Sequence, residues 1–298
     1  MKKPFETYNG GKAGNGTYQQ IINHIPKCDV FVDAMVGNGG IFYNLALPAL
    51  THINDIDPLV IAKHDVSSCA TKIIKSNVDY KSLIVKYSGN TGTVFMYFDP
   101  PYLFETRKSQ KPIYRHEWAD QDHHVFLAAA CIAEFNVMIS HYPCPLYDET
   151  LKGWYTHDFQ SMTRLGLRTE RIYMNYAPPV ILQDFRYIGK DYRERQRIKR
   201  KIERHINRLE KMPADERTAI LSSITVKYSA TAANFILPGN DAKIDGKDHT
   251  AKNGDKILNK ISYPLAPILT MPESLPITGA SSKKQLLAME TFLIDKTT

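Results

Sequence analysis

VFMYFDPPY, residues 94–102, runs from an apolar stretch into an acid, two prolines and a tyrosine. Val94 to Phe98 is β-branched and aromatic in character, the composition of a buried strand. Two consecutive prolines cannot continue a sheet. The strand therefore ends at Asp99, and the chain stiffens where a carboxylate and an aromatic ring emerge from its open end.

Working outward, short apolar runs alternate with helical patterns. Residues 17–25 read as a short helix ended by Pro26, and Val30-Phe31-Val32 as a strand. The strand leads into Asp33-Ala34-Met35-Val36-Gly37-Asn38-Gly39-Gly40, with a helical pattern after it through Phe42, Leu45 and Ala46. Thr51-His52-Ile53 predicts a second strand, 59–75 a helix, Ser82 to Val85 a third strand and 93–98 a fourth. A helix is expected over 120–133 with Asp120 as its cap, and strands at Val137 to Ser140 and at Glu170 to Asn175. This alternation predicts an α/β, doubly wound sheet. No internal repeat is present.

The chain has 298 residues, 43% of them hydrophobic, enough for a full domain plus an appendage. The formal net charge of +7 favours a polyanionic partner. Residues 186–212 alone carry 11 Lys and Arg against 4 Asp and Glu, so the rest of the chain is neutral overall. Within that segment Ile198, Ile202, Ile206 and Leu209 recur at helical spacing, which predicts an amphipathic helix with a basic outer face. Residues 238–255 read as a polar, glycine-rich loop, and 282–294 as a final helix. The first residues lack a secretory apolar core, and no apolar run is long enough to span a bilayer. Cys28, Cys69, Cys131 and Cys144 show no paired spacing, so reduced thiols, no metal site and a cytoplasmic location are expected.

A glycine-rich turn between strand and helix lets backbone approach a ligand, and the helix start adds free amides. Gly37-x-Gly39-Gly40 departs from the dinucleotide fingerprint, however, and an ordinary strand–helix turn reads the same way. Asp55 and Asp57 close the second strand about 20 residues later, where an acid can accept the hydroxyls of a ribose. Helix capping by Asn54-Asp55 is the plainer alternative. Together the two signals favour a nucleoside-containing cofactor.

The order glycine turn, acid, strand-Asp-Pro-Pro-Tyr resembles the D12 (Dam-like) class of N6-adenine DNA methyltransferases, across roughly residues 7–176. Gly10-Gly11-Lys12 is similar to that family's Gly-Gly-Lys segment, and Asn54-Asp55-Ile56-Asp57 to its Asn-Asp-x-Asn segment. Val137 to Tyr142 is similar to its apolar-Ser-Asn-Tyr strand, and Glu170 to Tyr176 to its closing segment. The resemblance implies a Rossmann-like class I methyltransferase sheet with a basic helical C-terminal extension. It implies S-adenosylmethionine as cofactor, held by Tyr8, Gly11, Lys12, Asp33, Met35, Gly37 and Gly39. Asp55, Ile56 and Asp99 join that site, with Asp55 on the ribose. Asp99, Pro100, Pro101 and Tyr102 become the catalytic segment. Two departures stand out. Asp33-Ala34-Met35 replaces Glu-Pro-Phe, and Lys86-Tyr87-Ser88 lacks the acid that relatives carry near the cofactor's adenine.

The N6 amine of adenine is a poor nucleophile because its lone pair is delocalised into the ring. Asp99 and the Pro100 carbonyl can both accept from that amine, which localises the lone pair without a strong base. Tyr102 offers a stacking face to a base flipped out of the duplex. Tyr173 or Tyr176 is either the second face or a core aromatic.

The recognition insert of the best-known relatives is missing between Asp57 and Asp99. DNA recognition is therefore expected from the C-terminal third, through Arg193, Arg195, Arg197, Lys199, Arg200, Lys201 and Arg204, unless they form a solvated face. Phe104 to Trp118, with Arg107, Lys108, Lys111 and Arg115, reads as an arm that orders on DNA. The expected organisation is a catalytic domain over 1–178, a basic helical DNA-binding region over 179–235 and a loop-rich segment over 236–298. The expected activity is adenine-specific methylation of double-stranded DNA, with no nuclease motif in the chain. The alternatives are an RNA adenine or cytosine-N4 methyltransferase, and an inactive nucleic-acid-binding relative.

Overall fold

The computed structural model describes residues 10–14, 16–90, 92–107, 112–163 and 166–236, with side chains through Tyr228. They form two compact units, one reaching Lys211 and one starting at Met212.

The first unit is built on seven strands: β1 (Val30–Asp33), β2 (Leu50–Asn54), β3 (Lys72–Ser76), β4 (Val94–Phe98), β5 (Asn136–His141), β6 (Tyr155–Thr163) and β7 (Gly166–Met174). Their order in the sheet is β3-β2-β1-β4-β5-β7-β6. Strands β1 to β5 run parallel, and β7 is antiparallel to both β5 and β6. This is the α/β, doubly wound, Rossmann-like sheet that the motifs predict.

Both faces of the sheet are covered, which is why its central strands are apolar without interruption. Successive side chains still alternate between two cores. Val30, Val32, Val94, Met96, Phe98, Val137 and Ile139 enter one core, while Phe31, Phe95, Tyr97 and Met138 enter the other. The helices of this unit are α1 (Thr17–Ile22), α2 (Pro58–Ala62), α3 (Tyr80–Tyr87), α4 (Asp120–Cys131), α5 (Pro145–Thr150) and α6 (Tyr192–Glu210). Asp57 starts α2 by accepting the Leu59 N–H, with Pro58 at the first helical position. Asp79 starts α3 by accepting the Lys81 N–H at 2.8 Å. α4 is capped at Ala119 rather than Asp120, and its N–H bonds Asp122 Oδ2 at 2.8 Å.

Three further expectations need correction. The third strand is Lys72–Ser76, not 82–85, and the helix expected over 59–75 stops at Ala62. Ser82 to Val85 lies inside α3, where Leu83, Ile84 and Tyr87 form the buried helical face. Residues after Gly40 make turns rather than a regular helix. β6 and α5, which no motif announced, are additions.

α6 starts at Asp191, whose side chain accepts the Glu194 N–H at 2.8 Å, and buries none of its residues. The second unit, in its described part, is α7 (Ala214–Ile236). The loop expected over 238–255 and the helix over 282–294 lie outside the described residues. No helix among the described residues is long and apolar enough to cross a membrane. All four cysteines are free thiols. No group of three or more His, Cys, Asp or Glu among the described residues is placed to hold a metal ion.

Candidate active site

The strand order reverses between β1 and β4, and ligands bind doubly wound sheets outside the carboxyl ends at such a switch point. A cavity of about 720 Å³ opens there, within the range of small-molecule sites. Lys12, Asp33, Gly37, Asp55, Asp79 and Asp99 are among the residues lining it.

The turn after β1 is shaped by glycines with φ of 48° at Gly37 and 68° at Gly39, in the left-handed region. Asp55 ties this turn to β2: one carboxylate oxygen accepts the Gly37 N–H and the other the Asp57 N–H, each at 2.9 Å. His64 adds a brace, bonding the Gly37 carbonyl at 2.9 Å. Gly40 serves a different purpose. A Cβ there would stand 2.9 Å from the Lys12 carbonyl carbon, so the glycine run packs directly on the backbone of the Gly-Gly-Lys segment.

That packing delivers Lys12 to the end of β4. Its ammonium donates to Asp99 Oδ1 at 2.7 Å and to the Gly10 carbonyl at 3.2 Å, and pairs with Glu170 Oε1 at 3.0 Å. Ser140, on β5, donates to the same Asp99 oxygen at 2.9 Å, which leaves Tyr97 as donor to Ser140 at 2.8 Å. Among the described residues, Asp99 Oδ2 has no hydrogen-bond partner. Burial raises the Asp99 pKa, and Lys12 opposes that rise. For Lys12 burial acts downward, but Asp99 and Glu170 outweigh it and hold the ammonium charged.

Tyr102 lies under the Lys12 ammonium, 4.8 Å from its ring centroid, and its hydroxyl donates to Glu170 Oε1. The His141 and Tyr142 rings flank it at 4.7 and 4.6 Å. His141 Nε2 accepts the Leu103 N–H at 3.0 Å and Nδ1 bonds the Tyr142 carbonyl at 2.7 Å, so the imidazole is neutral. Burial agrees, lowering its pKa to about 3. The Asp-Pro-Pro-Tyr segment is thereby tied to β5 through Ser140 and His141, and to β7 beyond it through Glu170.

Asp33 is 2% exposed at the end of β1, and its Oδ1 has no hydrogen-bond partner. Burial, then Asp99 and Asp55, raise its pKa well above the usual carboxylate value. An orphaned buried acceptor beside a glycine-shaped cavity fits a polar, cationic cofactor. The residues present therefore accommodate S-adenosylmethionine.

Of the residues predicted for the cofactor, Gly11, Lys12, Asp33, Met35, Gly37, Asp55, Ile56 and Asp99 line the cavity, and Gly39 shapes its turn. Tyr8 lies outside the described residues. Because β3 ends at Ser76, the acid following it is Asp79, and Asp79 lines the cavity.

Tyr173 and Tyr176 are core aromatics rather than base-stacking faces. Tyr173 is 1% exposed and donates to Asp148 at 2.7 Å, while Tyr176 packs against Phe95 and donates to the His24 carbonyl at 2.8 Å. The aromatic beside Tyr102 is Tyr142, part of the quoted β5 segment but not assigned a role from sequence. Glu170 and Ser140 were missed in the same way. Arg107 is not a free DNA contact. It makes a paired bond to Glu117 at 2.9 and 2.8 Å and donates to the Tyr102 carbonyl at 2.6 Å. Glu117 also accepts the Ile113 and Tyr114 N–H groups, so residues 112–118 form a folded wall of the cavity. Arg115 pairs with Asp57 at 3.2 Å, and Lys108 and Lys111 lie outside the described residues. On α6, Arg197 and Lys199 pair with Glu194 and Glu203, whereas Arg193, Arg200, Lys201 and Arg204 make no ion pair among the described residues.

Residues 50–165 match the D12 class N6 adenine-specific DNA methyltransferase family. No curated protein matches the sequence. Similar solved structures include a Pyrococcus horikoshii protein described as an RNA methyltransferase, at 14% identity and a TM-score of 0.37, covering 58% of this chain and 91% of that one. An rRNA methylase from Streptococcus thermophilus is 12% identical, with a TM-score of 0.34 and coverage of 53% and 90%. Magnesium protoporphyrin IX methyltransferase from Synechocystis, with bound S-adenosylmethionine, is 13% identical, with a TM-score of 0.33 and coverage of 53% and 75%. At these scores the likenesses add nothing to what the strand order shows by itself. The match over residues 50–165 supports methyl transfer with S-adenosylmethionine as the donor.

Proposed function

We propose that this protein methylates the N6 amino group of adenine in DNA. The observation that carries the reading is Asp99. It stands at the carboxyl end of β4, anchored through Oδ1 by Lys12 and Ser140, with Oδ2 left for a substrate. The match over residues 50–165 supports adenine and DNA as the target.

The chain's own residues act as follows. Asp99 Oδ2 and the Pro100 carbonyl accept hydrogen bonds from the target amine and draw its lone pair out of the ring. The prolines hold both acceptors before the base arrives, so little reorganisation is left for the transition state. Tyr102, braced by His141 and Tyr142, supports the flipped base, with stacking of roughly 1–3 kcal/mol offsetting part of the unpairing cost. S-adenosylmethionine, when bound, supplies the methyl group. Asp33, Asp55, Asp79 and the Gly37–Gly39 turn would hold it, Asp55 offering a carboxylate for ribose hydroxyls. The unpaired cations of α6 grip phosphates and give salt-dependent affinity.

The test is long-read sequencing of genomic DNA from a methylation-free bacterium expressing the protein, with Asp99→Ala as control. The expected result is modified adenine in one sequence context, absent in the control. A control as active as wild type would remove Asp99 from the chemistry. No modified DNA base in either strain would move the reading to RNA.

A further inference from the structure

Glu170 has no part in the mechanism above. It is 3% exposed, on β7, and does not line the cavity. Its Oε1 nevertheless serves both groups flanking Asp99: the Lys12 ammonium at 3.0 Å and the Tyr102 hydroxyl.

The charges explain why this is needed. Lys12 and Asp99 alone would be a neutral pair, with an ammonium 2.7 Å from Oδ1 of the carboxylate whose Oδ2 is meant for the substrate. A neutralised carboxylate is a weaker acceptor. With Glu170 the cluster carries one negative charge in excess. Excess charge is costly to bury, and one carboxylate would suffice for a merely structural ion pair. A sulfonium methyl donor brings the matching positive charge.

We propose that Glu170 is a positioning residue. It holds Lys12 and Tyr102 from one oxygen and supplies the negative charge that keeps Asp99 an effective acceptor beside a cationic donor. The activity arm of this inference rests on the methyl-transfer reading; its binding arm does not.

The experiment compares wild type, Glu170→Gln, and Glu170→Gln with Lys12→Met. Glutamine keeps an acceptor for the Tyr102 hydroxyl and removes only the charge. Titration with S-adenosylmethionine and with its neutral thioether product, S-adenosylhomocysteine, reads the charge directly. Glu170→Gln should lower the preference for the sulfonium about tenfold. The double variant leaves Asp99 as the lone charge of the cluster and should regain part of that preference. At saturating cofactor, kcat on DNA should fall about ten- to a hundredfold in the single variant, less than for loss of a direct donor, and recover in part in the double. An unchanged preference in Glu170→Gln overturns the proposal, and so does a double variant worse than the single. A lowered melting temperature with unchanged preference marks a structural ion pair and overturns it too. Should wild type methylate no DNA, the functional reading fails while the affinity ratio still decides Glu170.

Discussion

Gly40→Ala is the sharpest probe of how the Gly37–Gly39 turn and Asp99, the proposed catalytic residue, are joined. The added Cβ would stand 2.9 Å from the Lys12 carbonyl carbon, 3.0 Å from the Ala13 nitrogen and 3.1 Å from the Lys12 Cα. Nonbonded carbons settle at about 3.5–4.0 Å, so the backbone must give by roughly half an ångström. None of the three atoms belongs to a side chain that could swing aside. Overpacking of this kind costs about 1–3 kcal/mol. In a unit of this size that lowers the melting temperature by about 2–12 °C. The displaced segment carries Lys12, whose bonds to Asp99 and Gly10 measure 2.7 and 3.2 Å. We expect about tenfold weaker S-adenosylmethionine binding, equivalent to about 1.4 kcal/mol. Thermal melts and isothermal titration measure both effects. Gly14→Ala is the control, since its Cβ would meet nothing closer than Thr17 Oγ1 at 3.6 Å; it should stay within about 0.5 kcal/mol of wild type. Wild-type affinity in Gly40→Ala, or equal damage from Gly14→Ala, would refute the argument.

Two further predictions concern charge. Burial lowers the pKa of His141 to about 3 and those of His52 and His123 to about 4. The unfolded chain takes up these protons below about 6.5 and the folded one does not. Their contribution to stability is therefore full above that value and is lost as pH falls towards 4. Asp33, Asp55 and Asp99 have raised pKa values and act with opposite sign. Urea melts from pH 7.5 to 5 should thus compare wild type with His141→Asn, where the carboxyl contribution cancels and the acid-induced loss should shrink; equal losses would count against a neutral buried His141. On α6, replacing Arg200, Lys201 and Arg204 with alanine should flatten the plot of log affinity for DNA against log salt, by up to about 0.9 for each phosphate no longer neutralised. An unchanged slope would make that helix face merely solvated.

The parts of the site legible in the sequence are those whose chemistry sits in one contiguous run. β4 with its Asp-Pro-Pro-Tyr end, the Gly37–Gly39 turn and the Asn54-Asp55 segment each combine a strand with the polar group that follows it. β3 was misread because Lys72–Ser76 lies at the sheet's edge, with an exposed–intermediate pattern instead of an apolar run. The stretch Ser82 to Val85 looks like a strand because four consecutive residues cannot separate a period of 2 from one of 3.6. That single shift hid Asp79. Gly40 looked like a flawed fingerprint because its reason lies in the backbone of Lys12, remote in sequence. Glu170 was invisible as a site residue because its role depends on β7 running antiparallel beside β5, which composition does not encode. Tyr173 and Tyr176 were read from the order of the segments alone, and alternation along β7 sends Tyr173 into a core.

The place of Glu170 on β7 has a consequence for synthesis on the ribosome. Domains begin to form from their N-terminal side as the chain emerges. Strands β1 to β5 are translated first, and Lys12 can then reach Asp99 but not its second carboxylate. Only when β7 has left the exit tunnel and folded back against β5 is the lysine shared and the tyrosine fixed. A nascent chain can thus be largely assembled and still hold an incomplete centre, so completion of the Lys12–Asp99–Glu170–Tyr102 cluster is coupled to one late, long-range strand pairing.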